Sequence, residues 1–238
     1  MTNIRINKFI SDAGLMSRRK ADEAVSKGEI SVNGKVTKEL GIKIDPEKDT
    51  VSCKGQNITN AFKKYIYYAL NKPKGVISTA IDEKGRKTVL DFVPKEARVY
   101  PVGRLDANSE GLIILTNDGD LAQRLTHPSF LHQKEYFVVA KNIKNISPDS
   151  AKNLLKKGVR VGNETMKADE VSVIESENKY FEMKLILHTG HNRQIRRMCD
   201  RIGLEVIKLV RTRIVKLVLD DLGINPGEYK TVLKDQII

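Results

Sequence analysis

Apolar and polar positions along this chain repeat with two different periods, and the change between them divides it. Ile6, Phe9, Ile10 and Ala13 recur at helical spacing, and Gly14 stands where such a helix stops. Ser17 is placed to cap a second helix running to about Lys27. Ala21, Ala24 and Val25 face inward on it, and Gly28 lies just past its end. Ile30-Ser31-Val32 and Val36 flank Asn33-Gly34, a two-residue hairpin signal. Residues 3–50 therefore read as one small module. Residues 51–64 contain few apolar positions and several of Gly, Asn, Gln, Thr and Lys, so they read as a linker.

From Tyr65 onward the chain is strand-rich. Strands are predicted at 65–70, 76–79, 112–115, 134–139, 159–161, 167–174 and 180–187, with a further short one ending near Val102. Phe181, Met183, Leu185 and Leu187 alternate onto one face. Helices are predicted near 88–92, at 121–125 and at 150–157, the last closed by Gly158. Another begins near Asn192 and ends before Gly203, burying Ile195, Met198, Cys199 and Ile202. On that helix Arg193, Arg197 and Arg201 fall on the opposite, wet face, and Arg196 at the border of the buried stripe. The pattern fits an α+β protein: a small N-terminal domain at 3–50, a linker at 51–64, and a larger domain at 65–238 on a mostly antiparallel sheet with flanking helices.

Charge narrows the function classes. The 238 residues carry a formal net charge of +12. The part up to Lys64 holds 13 basic and 8 acidic residues, and the remainder 29 and 22, so both are basic. Such a balance suits a polyanion. No apolar run approaches the roughly 20 residues needed to span a bilayer, and the first residues lack the apolar core of a secretory leader. Nucleic acid is therefore the expected partner, not a membrane, and the cytoplasm the expected location. Cys53 and Cys199 form no Cys-x-x-Cys and read as two reduced thiols.

Three stretches carry candidate chemistry. In the first, an apolar strand ends near Val102, Gly103-Arg104-Leu105-Asp106 follows, and after Gly111 an apolar run returns to the core. An acid beside a base on a loop between buried strands fits a reactive site, although a solvated surface pair has the same pattern. In the second, Arg18, Arg19 and Lys20 open the second helix, against its dipole. They suit a docking phosphate, with Lys35 in the hairpin that follows. The third is Thr189 to Cys199, with Arg193, Arg196 and Arg197. A zinc site on His188 and His191 lacks further ligands nearby. A magnesium site on Asp106, Asp118 and Asp120 competes with ordinary turn and helix-start roles for the last two.

Gly103-Arg104-Leu105-Asp106, Ser109-Glu110-Gly111-Leu112 and Leu115-Thr116-Asn117-Asp118-Gly119 closely resemble the active-site motif of the RsuA-like ribosomal RNA pseudouridine synthases. Leu70-Asn71-Lys72-Pro73-Lys74-Gly75-Val76, Lys134-Glu135-Tyr136 and Asn192-Arg193-Gln194-Ile195-Arg196-Arg197-Met198 resemble that family's other motifs. Residues 3–50 resemble the S4 RNA-binding domain. The resemblance implies isomerisation of uridine to pseudouridine without cofactor or metal. It implies Asp106 as the catalytic aspartate, Arg196 as its arginine partner, and Tyr136 beneath the uracil. Arg104 would fill the space the flipped base vacates, while Arg18, Arg19, Lys20, Lys35, Arg193 and Arg197 would hold RNA. The expected partner is ribosomal RNA, free or in a pre-ribosomal particle, and the expected state a monomer. The third motif leans towards large-subunit (23S) ribosomal RNA; small-subunit ribosomal RNA and tRNA stay open. So do two other classes, a non-catalytic RNA-binding or ribosome-assembly protein with an S4 module, and a metal-dependent RNA-processing enzyme.

Overall fold

The computed structural model describes residues 3–58, 64–176 and 179–238. The chain divides into two compact units, the first built on the residues up to Tyr65 and the second on most of those from Ile66 onward.

In the first unit, strand β1 (Ile4–Arg5) leads into helix α1 (Ile6–Asp12), and α2 (Arg18–Ser26) follows. The Ser17 hydroxyl accepts from Lys20 N at 3.2 Å, the predicted cap. Strands β2 (Ile30–Val32) and β3 (Lys35–Thr37) form the predicted hairpin, with Asn33 at φ 51° and Gly34 at φ 77°. Two positive φ values in a two-residue turn match the right-handed twist of the strands, which explains Asn-Gly at these positions. Strand β4 (Lys43–Ile44) pairs with β1.

The predicted linker needs correction. Strands β5 (Val51–Cys53) and β6 (Gln56–Ile58) extend the hairpin into a four-stranded sheet, ordered β3-β2-β5-β6. Lys54 at φ 47° and Gly55 at φ 79° make a second tight turn. Val51 is fully buried with Ile6, Phe9, Ile10, Val25 and Ile30, and Cys53 and Ile58 pack against the same cluster. These strands are three residues long and bury one face, so a single anchor each suffices and the segment reads as polar. Residues 59–63 of the predicted linker lie outside the described residues.

The second unit is built on nine strands: β7 (Tyr67–Lys72), β8 (Tyr100–Val102), β9 (Glu110–Thr116), β10 (Lys134–Asn142), β13 (Glu170–Ser176), β14 (Tyr180–Leu187), β15 (Leu204–Ile214), β16 (Leu217–Val218) and β17 (Tyr229–Thr231). The main order is β13-β14-β10-β15-β9-β7-β17, with β16 on β15 and β8 on β9. Among the described residues the strands of this sheet pair antiparallel except β9 with β15, which meet in parallel at Glu110↔Val210 and Gly111↔Arg211. Strands β11 (Val159–Val161) and β12 (Glu164–Met166) form a separate hairpin. The strand predicted at 76–79 reduces to one bridge, Ile77 with Thr88. The second unit's helices are α3 (Gly119–Thr126), α4 (Pro148–Lys157) and α5 (Gln194–Ile202).

Strand β9 is buried on both faces. Leu112 and Ile114 join Leu121 and Leu125 of α3 in one cluster, while Ile113 and Leu115 join Leu70 and Val89 in another. A continuous apolar run is what a doubly covered strand requires. Strand β14 shows the predicted alternation, with Phe181, Met183, Leu185 and Leu187 packed against Ile195, Met198 and Cys199 of α5. The Cys199 thiol is pushed up to about 12 by burial, so it stays a protonated core residue.

Candidate active site

The loop joining β8 to β9 is held through its main chain. Gly103 takes φ 72° and turns the strand outward. The Ser78 hydroxyl donates to Leu105 O at 2.8 Å and accepts from Leu105 N at 3.1 Å. Gly75 N donates to Ala107 O at 2.7 Å, and Ser109 N to Asp106 O at 3.0 Å. Leu105 itself is buried.

Beneath the loop lies Lys72, fully buried. Its Nζ donates to Ser109 O at 2.7 Å and Pro73 O at 3.0 Å, with Ala107 O at 3.5 Å. Burial pushes this amine down to about 8, against the pull of the Glu110 and Asp106 carboxylates. Lys72 is thus a strut for the Asp106 loop.

Asp106 projects from this braced loop into a cleft of about 360 Å³. The near wall is the loop itself, with Arg104 exposed at its rim. The far wall is the segment from His188 to Ile195, and Lys134, Tyr136, Leu187, Leu209 and Arg211 lie between. His188 is held at the far wall by Asp169, 2.7 Å from its Nδ1. Gln194, buried, ties that wall together: Oε1 accepts from Thr189 Oγ1 at 3.0 Å and His191 N at 3.2 Å, and Nε2 donates to Lys167 O at 3.3 Å.

The arginine facing Asp106 differs from the expected one. Arg193 Nη1 lies 3.9 Å from Asp106 Oδ2. Arg196 instead donates to two main-chain carbonyls, Nη2 to Asn108 O at 2.7 Å and Nη1 to Val206 O at 3.0 Å. Burial and the neighbouring Arg193 lower its pKa, while Asp106 opposes them. The exchange has a geometric cause. Helix α5 begins at Gln194, and Arg193 is its N-cap in the left-handed conformation, φ 49°. Helical periodicity therefore does not apply to Arg193, and its side chain turns into the cleft. Arg196, at the border of the buried stripe as predicted, ties the Asp106 loop to β15.

Tyr136 is half-buried in the floor of the cleft. Arg197 is half-buried and outside the cleft lining. In the first unit Arg18, Arg19, Lys20 and Lys35 are all exposed. Sequence reasoning missed Lys72, Lys134 and Arg211 as parts of the site. Lys134 had a usable signal, lying two residues before Tyr136 and hence on the same strand face. Arg211 had none, because its strand was not predicted. Among the described residues no three His, Cys, Asp or Glu side chains group to hold a metal ion.

Comparison with known proteins shows the family. Residues 66–201 match the family described as RNA pseudouridylate synthase, and residues 4–51 match the S4 domain. Ribosomal large subunit pseudouridine synthase B of Bacillus subtilis is 39% identical, over 98% of this chain and 93% of its own length. Dual-specificity RNA pseudouridine synthase RluF of Escherichia coli is 38% identical, over 100% of this chain and 78% of its own. A crystal structure of a pseudouridylate synthase superposes with a TM-score of 0.65 at 26% identity, covering 98% of each chain. Motifs, fold and relatives coincide over nearly the whole length, so the chain belongs to the RNA pseudouridylate synthase family, as an RsuA-like pseudouridine synthase with an N-terminal S4 domain.

Proposed function

We propose that this protein converts a uridine of large-subunit ribosomal RNA to pseudouridine, with Asp106 as the carboxylate that meets the sugar. The observation that carries the reading is Asp106 itself. It is presented into a nucleotide-sized cleft from a loop whose main chain is braced by Ser78, Lys72 and Arg196, with a guanidinium 3.9 Å away. Isomerisation breaks the N-glycosidic bond, turns the uracil and rejoins it through carbon 5, with no net redox change. A carboxylate placed at carbon 1′ can act as nucleophile or as base there. Arg193, with Nη1 3.9 Å from Asp106 Oδ2, orients that carboxylate. Tyr136 stacks beneath the uracil.

The target base leaves its stack at a cost of roughly a few kcal/mol. Arg104 enters the vacated space. Arg18, Arg19, Lys20 and Lys35 hold phosphates, and Arg197 adds to the RNA-facing charge. The name of the Bacillus subtilis relative supports a large-subunit target. We also propose that the substrate is met free or in a pre-ribosomal particle in the cytoplasm, and that the working unit is one chain.

The test is to incubate the purified protein with unmodified large-subunit and small-subunit ribosomal RNA transcripts and map pseudouridine at single-nucleotide resolution. The expected result is one modified site, or one cluster, in the large-subunit transcript. Modification confined to the small-subunit transcript, or to tRNA added alongside, rejects the substrate. A companion measurement addresses the S4 module. R18E combined with R19E is expected to weaken RNA binding and to flatten the dependence of log affinity on log salt by about two, one per lost phosphate contact. Both side chains are exposed, and the bond lost is the long 3.4 Å contact from Arg18 to Asn7 Oδ1, so the unfolding midpoint is measured alongside. An unchanged slope removes these two residues from the interface.

A further inference from the structure

Below the cleft, three strands set side chains on one face of the sheet. Lys134 and Tyr136 alternate along β10; Leu187 of β14 stands opposite Lys134, and Arg211 of β15 opposite Tyr136. All four line the cleft. Two of them are cations without an anion. Arg211 is 2% exposed, its Nε donates to Leu112 O at 2.7 Å, and its Nη2 is buried with no partner. Lys134 Nζ reaches the His132 carbonyl at 3.4 Å. The nearby carboxylates are engaged elsewhere, Glu135 with Lys184 and Arg213, and Asp106 with Arg193. Burial, and then the charge of Arg211, push the Lys134 amine down to about 8.

Buried charges without partners are costly, and neighbouring like charges more so. That cost falls when negative charge enters the cleft, so donors fixed in this way stabilise charge that develops during a reaction. We propose that Lys134 and Arg211 are catalytic residues that receive the negative charge of the departing uracil. The proposal rests on the uridine-isomerase reading above.

When the N1–C1′ bond breaks, its electron pair stays with the base. Carbon 1′ is left electron-poor and is met by the Asp106 carboxylate, while uracil carries one negative charge spread over N1, O2 and O4. A half-turn of the ring about its C6–N3 axis exchanges N1 with C5 and O2 with O4. Fixed donors therefore meet a carbonyl oxygen in the same place before and after the turn. Carbon 5 then bonds to C1′ and loses its proton, N1 gains one, and nothing is oxidised or reduced. Arg211 is suited to hold an oxygen through the turn because its Nε anchor fixes the guanidinium. Lys134 adds charge from the neighbouring strand.

The test varies the leaving group. A large-subunit ribosomal RNA transcript is made with either uridine or 5-fluorouridine, whose electron-poor ring departs with less help. Single-turnover rates are read as the C-glycoside recovered by mass spectrometry after digestion to nucleosides; on the fluorinated base, which has no C5 proton to lose, that product keeps its fluorine and takes up water across C6 and N1. K134M is expected to slow the uridine transcript about 100-fold, the scale of losing one donor to a developing anion. Its deficit on the fluorinated transcript is expected to be at least about tenfold smaller, and K134R to recover most of the rate on both. K134M is expected to melt at or above the wild-type temperature, because a half-buried cation beside Arg211, with no carboxylate partner among the described residues, is removed; K134Q serves as a second neutral variant, read in the same way. An equal deficit on both transcripts, or a K134M rate within about twofold of wild type, overturns the proposal while leaving the isomerase reading intact. A wild-type protein that forms no C-glycoside on either transcript overturns that reading, and this proposal with it.

Discussion

Asp106→Asn is expected to abolish pseudouridine formation while leaving the fold and RNA affinity in place. The rate should fall on the order of 10⁴-fold or more, the scale seen when a group that carries a covalent or proton-transfer step is removed. Asparagine keeps the size of the side chain and removes its charge and nucleophilicity. The loop does not depend on the carboxylate, because its bonds run through main-chain atoms of Leu105, Asp106, Ala107 and Ser109. The side chain is 28% exposed and its ion pair with Arg193 is long at 3.9 Å. A pair of that kind contributes roughly 0–1 kcal/mol to stability. The decisive comparison is single-turnover pseudouridine yield against RNA affinity and unfolding midpoint for the same preparation. A mutant that keeps a tenth of the wild-type rate would remove Asp106 from the chemistry. An affinity that collapses together with the rate would make it a binding residue instead.

The second large effect is structural. Gly111→Ala is expected to cost about 3 kcal/mol or more, from backbone strain and overpacking together. Gly111 takes φ 99°, a conformation side chains rarely adopt. A methyl group there would overlap the Arg211 carbonyl oxygen and lie 2.7 Å from Arg211 N. Backbone cannot rotate aside as a flexible side chain can. This is also the one place where β9 and β15 run in parallel contact. Parting them pulls the Arg211 Nε from Leu112 O, and moves the end of the Asp106 loop against the strand it is tied to by Arg196. Gly162 provides the control. Its φ of 64° is also positive, but a methyl group there meets nothing within 4 Å, so Gly162→Ala bears the conformational cost alone. Urea unfolding with an unchanged m-value reads both variants. Equal midpoints for the two would show that the close approach to Arg211 is not tight.

Much of the fold could be read locally. The Ser17 cap, the Asn33-Gly34 turn, the four apolar residues of β9 and the alternation of β14 each report on themselves within a few residues. Elements that depend on distant partners were harder. Strand β15 was not predicted, because Glu205, Lys208, Arg211 and Arg213 break its apolar pattern and two register shifts against β10 interrupt its alternation. The turn at Lys54-Gly55 looks like linker in sequence because its strands bury only a single anchor each. At the site, the loop bearing Asp106 and the strand bearing Tyr136 were legible from motif and position. The identity of the arginine beside Asp106 was not, because one left-handed residue at the start of α5 redirects Arg193.

Local patterning and composition specify the two-part α+β organisation, the basic character, the Asp106 loop and the resemblance that named the chemistry. Which charges lose water depends on the folded arrangement. Lys72 and Arg211 look like surface residues in the sequence, yet both are buried among backbone carbonyls. Arg211 meets Leu112 across 99 positions of chain. The physical reason is range: capping, turn and alternation signals act between neighbours, whereas the solvation and pairing of a charge depend on strands that only folding brings together.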